Sequence, residues 1–454
     1  MRKYLQNGKI MLNLTKFRQN VHAVWVKMKA NLFRRGISVV FNQNMMLKRT
    51  AFPAIIIAIF IVTSFGVISI GHILSNKPIL FLNYERSYGL DYWDFFRASE
   101  KIIDGKSPYD LSSVDNNRYV TTPIPAIVNI VLVPLGFDNA RKLLYFLIPL
   151  SLALGYQKIT SIFEFAEADK DLVLTAGLVG LLFGYPFYFL VQRENIDGWV
   201  FLFLSLGLYW LSKPKRELIS GLFFSLAIVF KIYPILIILP ILFNKKWHLL
   251  LWIGLWLALW GIITLPYFSD LRTSLSMRSL SFFRFDENGS LMDTIRLISL
   301  SINSLGIKIT GLGVRSSRII STFIYGLLFF LLLLADYKLG RANKLDFSSY
   351  SMYLPFMIAV PNVVFHYSFI ICLMLIPTMC YLWKISGSRF QRIIISIISI
   401  GIALTQWQAI ATYHLTSNIA SESIPGIGLL IIMTGIAIFK ILTLHLTMNN
   451  TVKV

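Results

Sequence analysis

Ala51-Phe-Pro-Ala-Ile-Ile-Ile-Ala-Ile-Phe-Ile-Val-Thr-Ser-Phe-Gly-Val-Ile-Ser-Ile-Gly-His-Ile73 contains no Asp, Glu, Lys or Arg. An apolar run of this length spans a hydrocarbon core roughly 30 Å thick. Similar runs recur to the end of the 454 residues, of which 56% are hydrophobic and 14% charged. Inside lipid the backbone has to satisfy its own hydrogen bonds, so such runs are helices. The fold class that follows is an all-α polytopic membrane protein with one integral domain over 51–446.

On the N-terminal side of this run, residues 1–50 carry eleven Lys/Arg and no Asp/Glu. That flank belongs in the cytoplasm by the positive-inside rule. The net charge of +21 is therefore an orientation determinant that also meets anionic lipid. Its placement argues against nucleic acid as a partner. A basic lead of this length is too long for the n-region of a signal peptide, so 51–73 reads as an uncleaved anchor. Cys372 and Cys380 share one apolar run, which implies neither a disulfide framework nor a metal site.

Further along, short basic loops occur at Lys213–Arg216, Lys245-Lys246, Lys338–Lys344 and Lys384–Arg392. Placing them all in the cytoplasm makes the intervening runs cross in pairs. One consistent count is 51–73, 141–157, 171–191, 196–212, 218–231, 233–244, 247–266, 317–336, 349–363, 367–384, 391–413 and 424–446. That is about ten to twelve segments, with both termini inside and 447–454 as a short cytoplasmic tail. Loop 158–170, with more acid than base, is the exception. The runs 218–231 and 233–244 are too short to span singly and read as a broken pair around Pro234, tolerable where it lines a cavity. The run 124–137, interrupted by Pro125 and Pro134, reads as re-entrant or interfacial.

With this topology the polar residues collect on the non-cytoplasmic face. Loop 74–140 alone holds eight of the 22 acidic residues. It contains Asp91-Tyr-Trp-Asp94-Phe-Phe-Arg-Ala-Ser and Asp104-Gly-Lys-Ser-Pro-Tyr109-Asp110. Apolar positions 95, 96, 98, 102 and 103 suit an amphipathic helix in the interface. Asp91 stands at its entry, where an acid serves as an N-terminal helix residue, as a general base, or as both.

Lys231, within Phe-Lys-Ile-Tyr-Pro, is expensive at membrane depth without a partner. The candidates are the phosphate of a lipid carrier or an internal acid. Arg193-Glu-Asn195-Ile-Asp197 is a dense polar turn between two apolar runs, or else a solvated loop. Asn288-Gly-Ser290 follows a loop rich in Arg and Phe, where guanidinium groups suit phosphates and aromatic faces suit sugar rings. The same Phe residues also fit an interfacial belt. His366-Tyr367 sits between two apolar runs, as a loop histidine or as part of a site.

Taken in order, these motifs resemble glycosyltransferase family 87, the polyprenyl-phosphate-mannose-dependent transferases of the GT-C superfamily. The resemblance rests on Asp91, Tyr92, Phe95, Phe96 and Ala98, then Gly105, Pro108 and Tyr109, then Thr122-Pro123. It continues through Arg193-Glu-Asn195-Ile-Asp197, Lys231-Ile-Tyr-Pro234 and Asn288-Gly-Ser290-Leu291. Two departures stand out: Glu194 where the family usually has glycine, and Phe95-Phe96 where tyrosines are commoner.

The resemblance implies an inverting transfer of a hexose, most simply mannose, from a polyprenyl phosphate to a lipid or glycan acceptor outside the cell membrane. Asp91 would be the base, with Asp94 as alternative. Lys231, Arg193 and Asn195 would bind the donor phosphate. Asn288, Ser290, His366, Tyr367 and Tyr109 would contact donor or acceptor. Carrying the leaving charge on side chains makes a metal unnecessary, so no cofactor is expected. The alternative classes are a transporter or flippase, which usually shows internal repeats, and a polymerase or ligase of lipid-linked glycans.

Overall fold

The computed structural model describes residues 50–74, 90–109, 122–270, 314–341, 347–359, 366–407 and 424–451. Every regular element among them is helical. The first long helix, α1 (Phe52–Leu74), is followed by α2 (Leu90–Ile103) and α3 (Pro123–Asn129), which runs into a 3-10 stretch at Ile130–Leu135. Next come α4 (Phe137–Thr160), α5 (Glu167–Phe183), α6 (Tyr185–Arg193), α7 (Asp197–Leu211) and α8 (Glu217–Phe230). A 3-10 stretch at Tyr233–Ile237 leads into α9 (Ile238–Phe243) and α10 (Trp247–Thr264). The remainder comprises α11 (Val314–Arg341), α12 (Ser348–Met352), α13 (Leu354–Ala359), a 3-10 stretch at His366–Met374, α14 (Leu375–Ile385), α15 (Arg389–Thr405) and α16 (Ile424–Thr451).

Six of the described helices are long and apolar enough to cross a membrane, or seven if α5 and α6 count as one span bent by 56°. The chain is a multi-pass all-α membrane protein. Within the described residues, each expected apolar segment contains helix. Fewer are uninterrupted spans, because Pro and Gly break several of them. Pro123–Leu135, Asp197–Leu211, Glu217–Phe230 and Tyr233–Phe243 are apolar but short. Gly184 has an extended backbone between α5 and α6. Lys231 is extended at the end of α8, just before Pro234, so the predicted break falls where proline cannot donate a backbone hydrogen bond.

The bundle packs around His366–Met374 and α14. From Phe369 to Ile376 each side chain is fully buried. α1, α5, α12 and α15 pack against α14, whereas α6, α7 and α13 pack against the 3-10 stretch before it. Lipid tails are as apolar as leucine, so helix association in a membrane depends on close packing and not on escape from water. The α15–α16 pair shows this at two facing glycines. A Cβ on Gly401 would lie 2.9 Å from the Gly428 carbonyl oxygen, and one on Gly428 would lie 2.7 Å from that of Gly401. By contrast, α10 leaves Leu251, Leu255, Leu259 and Ile262 exposed at helical spacing, a stripe suited to face hydrocarbon.

Candidate active site

The first wall of the site is α2. Tyr92, Phe95, Phe96 and Ser99 recur at helical spacing and are buried, so this face turns inward. Phe137, at the start of α4, receives Tyr92 in a stacked contact at 5.7 Å and Phe96 edge-on at 5.5 Å. The Ser99 hydroxyl donates to the Ala126 carbonyl at 2.8 Å, and Asn129 Nδ2 donates to Ser99 Oγ at 3.1 Å, fastening α2 to α3. Phe95 and Phe96 thus spend their rings on packing, a role that needs no phenolic hydroxyl.

The C-terminal end of α2 is set by Gly105. Its φ of +71 is left-handed, and the Lys106 N–H donates to the Lys101 carbonyl at 2.8 Å, a six-to-one helix stop that favours glycine. Tyr109, just beyond, is buried in the apolar core. Of the motif acids, Asp91 lies in the first turn of α2 and Asp94 lies one turn later.

The second wall is the turn between α6 and α7. The Asn195 N–H donates to the Leu190 carbonyl at 3.2 Å, closing α6 with the same stop. Glu194 supplies its left-handed residue, at φ 54 and ψ 44. A non-glycine residue there costs about 1 kcal/mol or more. The reversal sends the side chains on either side of Glu194 to one target. Arg193 Nη2 lies 3.0 Å from Asp91 Oδ1, and Asn195 Nδ2 donates to Asp91 Oδ2 at 2.6 Å. Asp91 therefore has one donor on each oxygen, yet its side chain keeps 17% exposure.

Glu194 itself is 1% exposed. Arg141 Nε of α4 lies 3.4 Å from its Oε1, and Tyr145, one turn further along α4, also favours the charged carboxylate. Burial pushes the Glu194 carboxyl up to about 7, with Tyr145 and Arg141 opposing the rise.

The third part lies behind the turn. Asn195 Oδ1 accepts the Asp197 N–H at 3.0 Å, so one carboxamide joins Asp91 to the start of α7. Asp197 is fully buried. Its Oδ1 accepts the Tyr233 hydroxyl at 3.2 Å and lies 3.7 Å from Lys231 Nζ. Its Oδ2 accepts the Ser368 hydroxyl at 2.6 Å. Thr122, immediately before α3, donates to the Val229 carbonyl near the end of α8, which ties the Thr122-Pro123 motif to the Lys231 break.

The structure thus joins Asp91, Arg193, Asn195 and Lys231 in one chain of contacts running from α2 to the end of α8. Arg193, expected on a phosphate, is paired with Asp91. Lys231 has the internal acid that was one of its two expected partners. His366 and Tyr367 begin the 3-10 stretch that delivers Ser368, but their side chains lie outside the described part, as do Asn288 and Ser290 altogether. Among the described residues, no group of three or more His, Cys, Asp or Glu is placed to hold a metal ion. Asp197, Tyr233, Ser368 and Arg141 were not assigned a role from the sequence. Asp197 carried a signal as the acid that closes the dense polar turn Arg193–Asp197, and Tyr233 as part of the Lys231–Pro234 motif.

The fold and this polar chain define a class, the multi-pass helical membrane proteins that hold paired carboxylates and cations among their helices. The profile of glycosyltransferase family 87 matches residues 119–361, and the chain belongs to that family. Arg193, Asn195, Asp197 and Lys231 fall inside the matched region, whereas Asp91 precedes it. Two similar proteins are GPI mannosyltransferase 1 from Kluyveromyces lactis, 32% identical over 153 residues, and GPI mannosyltransferase 1 from Saccharomyces cerevisiae, 28% identical over 165 residues. The matches cover 34% and 35% of this chain. They span only 35% and 37% of the lengths of the two relatives.

Proposed function

We propose that this protein transfers mannose from a polyprenyl-phosphate donor to a lipid or glycan acceptor, with inversion, on the non-cytoplasmic side of the cell membrane. Both termini would lie in the cytoplasm. The observation that carries the reading is the contact chain from Asp91 through Asn195 to Asp197 and Lys231. It sets a carboxylate and an ammonium group in fixed relation through one carboxamide and one buried acid. The family supports glycosyl transfer, and the names of the two relatives support mannose as the sugar.

In the reaction, an acceptor hydroxyl oxygen attacks the anomeric carbon while the bond from that carbon to the phosphate oxygen breaks. The hydroxyl proton passes to Asp91, and the electron pair of the broken bond stays on the lipid phosphate. A carboxylate has about four lone-pair sites, so Asp91 can accept a further hydrogen bond beside those from Arg193 and Asn195. These two residues orient the base. Lys231 stabilises the charge that develops on the leaving phosphate, where low dielectric strengthens the interaction. Asn288, Ser290, His366 and Tyr367 complete the donor or acceptor contacts, and Asp94 is the alternative base. The chemistry so written uses side chains alone and expects no cofactor.

The test is transfer by purified protein from defined polyprenyl-phosphate sugars, with linkage analysis of the product. Asp91→Asn is expected to lower turnover by about 10²–10⁴-fold, the usual contribution of a positioned base, while the variant still folds and unfolds cooperatively in detergent. Full activity in that variant overturns the assignment of the base. A folded wild type that uses no such donor overturns the reading as a whole.

A further inference from the structure

Asp197 is a fully buried carboxylate at a convergence of two otherwise separate parts of the fold, the central 3-10 stretch and the break after α8. Ser368 comes from the central 3-10 stretch, Tyr233 from the stretch after the α8 break, and Lys231 from the break itself. Its own backbone N–H holds Asn195, which in turn holds Asp91. A buried carboxylate without compensation is strongly unfavourable. Here two hydroxyl donors and one ammonium compensate it. Lys231 is the more open member of the ion pair, with 23% of its side chain exposed against none for Asp197. The acid therefore stands behind the cation, on its protein side.

We propose that Asp197 is a positioning residue for phosphoryl-lipid recognition: it anchors Lys231 from behind and, through Asn195, keeps that cation in register with Asp91. The ligand class is a phosphate monoester or diester on a polyprenyl chain. Ser368 and Tyr233 fix the two oxygens of Asp197, so the Lys231 ammonium is held by a rigid counter-charge. The arrangement also moderates the cation. A phosphate reaching Lys231 meets a charge already partly offset by Asp197, which favours release of the lipid phosphate after transfer.

This inference rests on reading Lys231 as the phosphate cation, and the experiment separates the two. Asp197→Asn keeps the size of the side chain and removes its charge. Turnover is expected to fall about tenfold or more while affinity for polyprenyl phosphate stays level or rises, a split between kcat and binding that loss of folding does not produce. Lys231→Met is expected to weaken polyprenyl phosphate binding. The double variant is expected to be no slower than Lys231→Met alone, as for residues acting through one another.

If Lys231→Met is impaired and Asp197→Asn turns over like wild type, the phosphate reading stands and the positioning role is overturned. If Lys231→Met binds and transfers like wild type, both fall. A parallel drop of turnover, affinity and melting temperature in Asp197→Asn also overturns the positioning role, since burial alone accounts for it. Should that variant fail to fold, Ser368→Ala and Tyr233→Phe each remove one donor and retain both charges. A severalfold loss of turnover at constant affinity supports the proposal there, and wild-type turnover in both overturns it.

Discussion

Glu194 concentrates three unfavourable features in one residue: left-handed backbone, near-complete burial and a carboxyl with no hydrogen-bond donor on either oxygen among the described residues. A glycine would remove all three, yet the acid is what couples the turn to Arg141 and Tyr145 of α4. Its effect on stability has a definite sign. In the folded protein the carboxyl titrates at about 7 instead of 4.5, so the folded state binds the proton more tightly than the unfolded state. That contribution is fully present below pH 4.5, is lost as pH rises to about 7, and stays lost above. Wild type is therefore expected to lose on the order of 3 kcal/mol across this window from Glu194, since each tenfold difference in proton affinity is worth about 1.4 kcal/mol. Thermal melts of wild type and Glu194→Gln at several pH values check it. The variant should lack this part of the slope, and identical slopes count against the assignment.

At the scale of elements, the helix stops and breaks decide where the functional groups go. Gly105 ends α2, Glu194 ends α6, and the extended Lys231 ends α8. Each stop is a local event, yet the last two set the direction of the side chains that meet Asp91 and Asp197. The α15–α16 contact is a different kind of element-level feature, since it depends on the absence of side chains. Gly428→Leu would force its Cβ into the Gly401 carbonyl and into Leu404. A melting temperature lowered by the equivalent of about 1–3 kcal/mol is expected, the usual cost of overpacking. Gly66→Leu on α1, where nothing lies within 4 Å of the added Cβ, should leave the melt unchanged. Equal effects of the two would show that the close approach does not matter.

For the molecule as a whole, the C-terminal helix is clasped to the rest by charge as well as by packing. Lys440 of α16 lies 2.8 Å from Asp336 of α11, with side-chain exposures of 5% and 0%, and it also donates to Ser349 of α12. Removing one member of a buried pair leaves the other uncompensated, at a cost of about 3–5 kcal/mol, whereas replacing both by apolar residues is often neutral. Lys440→Met is accordingly expected to destabilise strongly, and Lys440→Met with Asp336→Leu to recover most of the loss. Unfolding in detergent reads both, and a double variant as unstable as the single would count against the clasp.

Much of this architecture was legible in the chain. Apolar length identifies the helices from 51–73 onward, because a backbone in lipid has few alternatives to helix. The amphipathic spacing of 94–104 pointed to α2, which begins a turn earlier at Leu90, and Pro234 marked the break after Lys231. Asp91, Arg193, Asn195 and Lys231 could be picked out as unusual because polar groups beside apolar runs need partners. Which partners they take could not be read. Asp91 and Asn195 are separated by 104 positions, and Asp197 and Ser368 by 171. No periodicity encodes such a meeting. An all-helical membrane chain and its short polar vocabulary follow from local chemistry against a fixed solvent, and so could be read residue by residue. Tertiary structure alone decided that Arg193 faces Asp91, and that Asp197 stands buried behind Lys231. Those pairings depend on how the helices pack in three dimensions.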